Sequence, residues 1–321
     1  MGVSNKAIDW GLNSISALGR LHPRARALMR EVEVIRDLPY GPGPAHRLDV
    51  YRPKGVDGPL PTLFYVHGGG FRILSKESHW MFGAGFAAMG FAVFTINYRL
   101  APTHPFPAAL EDASRALAWL RDNAEAYRAD LGRLVYAGES AGANLVSALT
   151  IAGCWPRPES LAKRVWDLEL TPKVVLPACG MLQVSAGERY LSRSDLPKWI
   201  RARIKVVCES YLPHPSPIPD ENVLADPLSF FEVAAPPERS LPAFFAVCGA
   251  RDPIREDSDR LGLALARFGQ DSALAFYPGG HAFHAFFWRD AARRSWTDTQ
   301  TFLEGHILGL RRPEAGLTLA S

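Results

Sequence analysis

Residues 133–150 read Arg-Leu-Val-Tyr-Ala-Gly-Glu-Ser-Ala-Gly-Ala-Asn-Leu-Val-Ser-Ala-Leu-Thr and divide into three parts. Residues 133–137 form a short apolar and aromatic run that reads as a buried strand, and residues 143–150 carry a helical apolar pattern. Between them lies Gly138-Glu139-Ser140-Ala141-Gly142. A serine on so sharp a strand-to-helix turn has a strained backbone and an exposed hydroxyl, and its small neighbours allow other backbone to come close. The five-residue pattern alone is weak, since roughly one chain in ten of this length shows it by accident at the usual glycine content of about 7%. The flanking strand and helix give it weight against the plainer reading, an ordinary βα turn.

Working outward, the same alternation recurs. Strands are expected at 62–66, 91–96, 133–137, 173–176, 243–248 and 273–277, with helices near 78–89, 107–123, 143–152 and 290–309. Near-continuous apolar strands alternating with helices require a parallel sheet covered on both faces, so the fold class is α/β, mostly parallel and doubly wound. Residues 32–51, short strand-like runs broken by Pro39, Gly41, Pro42, Gly43 and Pro44, read as a hairpin at a sheet edge. Residues 5–30 have the spacing of an amphipathic helix, with Ile8, Leu12, Ile15 and Leu18 on its apolar side. A long insertion near 185–230 has a helical middle and then the proline-rich Leu-Pro-His-Pro-Ser-Pro-Ile-Pro. An insertion of this length is usually functional. The chain is therefore expected to be a single domain over 1–321, with a helical cap built from about 1–30 and about 185–230, the N-terminal helix packed on the insertion.

Composition removes several function classes. The chain has 321 residues, 47% of them hydrophobic, and 36 Lys and Arg nearly balance 33 Asp and Glu. With no run of like charges, nucleic acid is not an expected partner. Cys154, Cys179, Cys208 and Cys248 are far apart, with no metal-ligand spacing, and read as buried free thiols. No signal-peptide pattern opens the sequence, so the expected location is cytoplasmic. The uncharged run 78–98 divides at Gly90 into a helix-like and a β-like half, so no membrane span is expected.

Three further stretches carry chemistry. His67-Gly68-Gly69-Gly70-Phe71 follows a strand directly, and its glycines leave main-chain N–H groups free to face an oxygen that gains negative charge. No Lys-Ser or Lys-Thr follows, as a phosphate-cradling P-loop would require. Gly69 and Gly70, with the N–H of Ala141, are the candidate oxyanion donors; His67 reads as a residue that shapes the loop. A serine nucleophile needs a base, and the base an orienting carboxylate, in the chain order Ser, Asp or Glu, His. Asp252 follows one strand and His281 the next. Glu256 and Asp257 read better as helix N-terminal residues, and His281 is preferred to His284 because it follows the strand-ending turn.

The residues His67-Gly-Gly-Gly-Phe71, Tyr98-Arg-Leu-Ala-Pro102, His104-Pro-Phe-Pro-Ala-Ala-Leu-Glu-Asp112, Gly138-Glu-Ser-Ala-Gly142 with Asn144, Asp252-Pro253 and His281-Ala-Phe283 occur in this order over most of the chain. Asp49-Val-Tyr51 extends the set upstream. In this the sequence resembles the hormone-sensitive-lipase-like branch of the α/β-hydrolases, the bacterial family IV carboxylesterases. The family's usual His-Gly-Phe stands here as His281-Ala282-Phe283. The resemblance implies Ser140 as nucleophile, His281 as base and Asp252 as orienter, an oxyanion hole from Gly69, Gly70 and Ala141, no metal and no cofactor. It also implies a small-molecule ester substrate of short to medium chain length, with the cap helping to set the preference. Phe71, Trp80, Trp199 and Tyr211 are the candidate substrate contacts; core packing is the plainer reading of each. An amidase, formamidase or deacetylase would use the same triad. A ligand-binding receptor on this fold is disfavoured by the presence of Ser140, Asp252 and His281 together. Homodimers occur among similar families, though no periodic seam here argues for one.

Overall fold

Runs such as 60–66 and 243–249 hold almost no polar side chain, and strands of this kind must be covered on both faces. The computed structural model describes residues 14, 16–213 and 220–307. Its strands are β1 (Val32–Pro39), β2 (Arg47–Pro53), β3 (Leu60–Val66), β4 (Ala92–Ile96), β5 (Ala129–Glu139), β6 (Val174–Ala178), β7 (Ala243–Gly249) and β8 (Ser272–Tyr277). They form one sheet in the order β1-β2-β4-β3-β5-β6-β7-β8. The expected edge hairpin is present, β1 pairing antiparallel to β2 and β2 to β4, while the pairs from β4 to β8 are parallel. Every residue of β3, β4, β6 and β7 is buried, whereas β8, at the far edge, is mostly half-buried.

Helices cover the two faces. On one lie α3 (Ala108–Asn123), α4 (Ala141–Cys154), α5 (Ser160–Asp167) and α8 (Arg255–Ala266); on the other, α1 (Pro23–Glu31), α2 (Trp80–Ala88) and α9 (Asp290–His306). The uncharged run resolves as expected: helix α2, a turn with Gly90 at φ +98, then β4. Among the described residues no helix is long and apolar enough to cross a membrane. All four cysteines are free and buried.

Two expectations for the N-terminal segment change. Residues 1–13 lie outside the described residues, and the part that follows is not one helix to residue 30. Residues 16–19 are helical, a turn follows, and α1 begins at Pro23 after an extended His22 whose Nδ1 accepts from the Arg24 N–H at 3.2 Å. Proline fits the first turn of a helix and not its interior, so the break falls there. This segment also packs away from the insertion. Ser16 Oγ donates to the Ser78 carbonyl at 2.7 Å, Trp80 Nε1 donates to the Ser16 carbonyl at 3.1 Å, and Ala25 and Leu28 join the cluster beneath α2. The cause is α2 itself: residues 80–87 are all buried, and a helix apolar on every side needs cover on its outer side too.

The insertion joins the opposite cluster through Tyr190, Leu196 and one face of α6 (Lys198–Tyr211), with α7 (Pro227–Val233) following. Residues 214–219 of its proline-rich stretch lie outside the described residues.

Candidate active site

Strand β3 lies between β4 and β5, so the winding reverses beside it, and loops leaving the carboxyl ends of β3 and β5 emerge side by side. Val66 pairs with Gly138 across these strands. One loop holds residues 67–71, the other Ser140.

Ser140 sits at φ 53°, ψ −112°, a backbone that L residues rarely adopt. The turn is tight on both sides. A Cβ on Gly138 would lie 2.4 Å from the Gly142 carbonyl oxygen, and one on Gly142 would lie 2.0 Å from that of Val66. The strain is held by neighbouring loops. The Ser140 N–H donates to the Ala178 carbonyl at 2.8 Å, and Asn144 Nδ2 donates to the carbonyls of Met181 and Ala225 at 3.0 and 2.9 Å.

Asp252 and His281 come from the turns after β7 and β8, neighbours whose ends pair Gly249 with Tyr277. His281 Nε2 lies 3.0 Å from Ser140 Oγ, and its Nδ1 lies 2.9 Å from Asp252 Oδ2. A carboxylate only accepts, so Nδ1 carries the hydrogen and Nε2 is free to accept from the serine hydroxyl. Asp252 Oδ1 accepts the Ile254 N–H at 2.9 Å, which fixes the carboxylate. Burial opposes its ionisation, but His281 beside it holds the carboxyl below the usual range. Burial likewise works against the imidazolium of His281, and the Asp252 carboxylate more than offsets it, raising the pKa to about 9. The His281 side chain is 35% exposed, so water screens part of that effect.

In the neighbouring loop Gly69 and Gly70 take φ +112° and +60°. A Cβ on Gly69 would lie 2.0 Å from the Ile73 carbonyl oxygen. Among the described residues the N–H groups of Gly69, Gly70 and Ala141 have no acceptor; Ala141 opens α4, where the first N–H groups have no partner within the helix. The Tyr98 hydroxyl donates to the His67 carbonyl at 2.9 Å, and the Ala101 N–H to that of Phe71 at 2.8 Å. Arg99 is tied through its N–H and guanidinium to Asp112 on α3. The residues 98–112 that the sequence singled out therefore buttress the glycine loop. His67 stacks on Tyr98 with ring centres 4.3 Å apart, and burial pushes its pKa down to about 3, which suits a neutral shaping residue.

The other candidates separate. Asp257 is fully buried at the start of α8, accepting the N–H groups of Leu182 and Gln183 at 2.7 and 3.1 Å, and Glu256 lies in the same first helical turn. His284 is buried and faces Glu139. Of the four aromatic candidates, the structure brings together Phe71 and Tyr211, stacked with ring centres 3.6 Å apart. Trp80 is core under the N-terminal segment, and Trp199 is 71% exposed. On α6 the buried stripe is Ile204, Val207, Cys208 and Tyr211, and Trp199 falls on the opposite side at about 100° per residue. Sequence reading missed Val207, which caps Gly70: a Cβ there would meet its Cγ2 at 2.7 Å. It also passed over Glu139, the variable position of the motif.

A family model described as the alpha/beta hydrolase fold matches residues 63–287. The chain belongs to that family. Within the α/β hydrolases it is 29% identical over 278 residues to the esterase LipI of Mycobacterium tuberculosis, covering 82% of this chain and 78% of that one. It is also 29% identical over 289 residues to the acetyl-hydrolase of Streptomyces hygroscopicus, covering 86% of each. The crystal structure of the esterase LipW from Mycobacterium marinum shares the fold with a TM-score of 0.75 at 23% identity, over 95% of this chain and 90% of that one. The kinship read from the motifs is borne out at the level of the α/β-hydrolase family and its esterase members.

Proposed function

We propose that Ser140, His281 and Asp252 carry the two-step acyl transfer by which this carboxylic ester hydrolase cleaves short- to medium-chain esters of small molecules. The observation that carries the reading is the relay from Ser140 Oγ to His281 Nε2 at 3.0 Å and from His281 Nδ1 to Asp252 at 2.9 Å. As Ser140 Oγ bonds to the ester carbonyl carbon, its proton passes to His281, and the carbonyl electron pair moves to an oxygen that the Gly69, Gly70 and Ala141 N–H groups stabilise. His281 then protonates the leaving alcohol, and water activated by the same imidazole releases the acid. The unpartnered N–H groups support the oxyanion assignment. Four buried free thiols suit work in the reducing cytoplasm.

A series of p-nitrophenyl esters from acetate to palmitate tests the substrate class. Turnover is expected to peak at short to medium chains and to fall towards palmitate; rates rising steadily to long, emulsified chains would contradict it. Matched ester and amide substrates separate an esterase from an amidase.

A pH profile tests the base. Only neutral His281 can take the proton, so kcat/KM rises with pH through its pKa in the free enzyme. That pKa is held above the ordinary value of about 6.5, with about 9 as the upper bound once screening is counted. Activity is therefore expected to fall about tenfold per pH unit below a midpoint in this window. A flat profile down to pH 5 would remove His281 from the role.

A further inference from the structure

Three neighbouring strands of the sheet, β6, β7 and β8, each deliver a different donor group to one point beside Ser140. Cys179 follows β6, Asp252 follows β7 and His281 follows β8. The Sγ of Cys179, a carboxylate oxygen of Asp252 and a ring nitrogen of His281 all lie within 4.8 Å of one another. Nδ1 is the nitrogen that faces the carboxylate, 2.9 Å from Oδ2. The acyl-transfer path above uses Asp252 and His281 and leaves the thiol without a task.

The sulfur is placed by the main chain. Cys179 takes a left-handed backbone at φ 48°, and its N–H donates to the Val247 carbonyl at 2.8 Å. The residue before it, Ala178, is the acceptor that holds the Ser140 N–H, so thiol and nucleophile share one support. Cys179 and Asp252 are buried, whereas the His281 ring is partly exposed, and its edge is the way in from solvent. A hydrogen bond with Cys248 and burial both push the Cys179 thiol up and keep it neutral. A divalent cation reverses this, because a coordinating thiol gives up its proton. Thiolate and imidazole together select a borderline-soft ion such as Zn²⁺ over Mg²⁺ or Ca²⁺, which prefer oxygen. Tetrahedral bonds of about 2.0 to 2.3 Å space the donors about 3.3 to 3.6 Å apart. That spacing falls between the 2.9 Å of the present contact and the 4.8 Å that bounds the trio. A small turn of the imidazole is the movement required, and water fills the fourth position.

We propose that Cys179, Asp252 and His281 form a binding site for a soft divalent cation of the Zn²⁺ class, and that its occupancy switches the relay off. The ion bonds to Sγ, to one Asp252 oxygen and to His281 Nδ1. The thiol proton leaves to solvent, and the hydrogen displaced from Nδ1 is carried on Nε2 instead. One proton is released in all, and the two positive charges of the ion meet a thiolate and a carboxylate. A ring whose Nε2 carries the hydrogen cannot accept from Ser140 Oγ. The site stands on the side-chain geometry, while its inhibitory effect rests on the acyl-transfer reading above.

Initial rates on a short p-nitrophenyl ester in rising Zn²⁺ test it, each enzyme read against its own metal-free rate. Wild type is expected to lose activity with one ion bound per chain, and EDTA to restore it. In Cys179→Ser and Cys179→Ala, checked for folding by a thermal melt, half-inhibition should need at least about a hundredfold more Zn²⁺, since loss of an outer partner of a metal ligand alone can cost that much. Cys154→Ser, at the other end of α4, should respond as wild type does. Zinc-edge X-ray absorption of the wild type needs no variant and decides alone should neither Cys179 variant fold; one sulfur among nitrogen and oxygen neighbours is expected. A shell without sulfur overturns the proposal, as does equal inhibition of wild type and both Cys179 variants, or a wild-type rate that Zn²⁺ leaves unchanged. A wild type that hydrolyses no ester yet binds one ion through one sulfur would sink the esterase reading and leave the site in place.

Discussion

Ser140→Ala is expected to lower ester turnover by about 10⁴- to 10⁶-fold while the fold stands. The size follows from the two-step path: without Oγ there is no acyl-enzyme, and His281 has no hydroxyl to deprotonate. What is left is binding and the N–H donors of the glycine loop, worth about 10³ to 10⁴ over water in comparable sites. The fold should hold because alanine keeps the Cβ and the positive φ that the turn already tolerates, and the Ser140 N–H bond to Ala178 is made by the main chain. Initial rates on a short p-nitrophenyl ester, read beside a thermal melt, decide it. A variant within tenfold of wild type would move the nucleophile elsewhere.

Gly142→Ala should do the greatest damage to the fold. The added methyl would sit 2.0 Å from the Val66 carbonyl oxygen, 2.7 Å from its carbon and 2.8 Å from the His67 carbonyl oxygen. All three are backbone atoms at the end of β3, so no side chain can swing away. Either α4 lifts off the sheet, taking Ser140 with it, or the β3 end shifts and disturbs the glycine loop. A loss of about 3–5 kcal/mol is expected, with activity falling further than the folded fraction. Gly153→Ala in the same helix is the control. Its Cβ would find the Leu170 carbonyl oxygen at 3.7 Å, ordinary contact, and the change should be neutral or stabilising by up to about 1 kcal/mol. Denaturant melts of the two variants test the pair; similar midpoints would show that the close approach at Gly142 is relieved cheaply.

The elements that were legible in the sequence share one property: their signal is local. Strand β3 and strand β7 are continuous apolar runs, helix α4 begins where a serine follows a strand, and the hairpin β1–β2 is marked by its prolines and glycines. Ser140, Asp252 and His281 were singled out the same way, each in the turn that follows a strand, and the structure brings them within hydrogen-bond reach. The sheet then did what parallel topology requires and gathered strand ends at one edge. The N-terminal segment shows where this fails. Residues 16–19 are helical, yet Leu18, the described apolar position of that spacing, is exposed, because periodicity does not say which surface a helix face will meet. The outer side of α2 took residues 16–28 as its cover, instead of the insertion.

The sequence by itself determined the α/β class, the order of the strands along the chain and the three residues of the relay, because apolar periodicity and the turn chemistry of glycine and proline are read within a few neighbouring residues. Only the tertiary structure decided which distant side chains meet. It set Val207 over Gly70, stacked Phe71 on Tyr211, sent Trp199 to the surface and closed His79 and His284 around Glu139. Those contacts depend on the phase of α6 and on the packing of α2 against β3, and such packing is settled by shape and burial across the whole core.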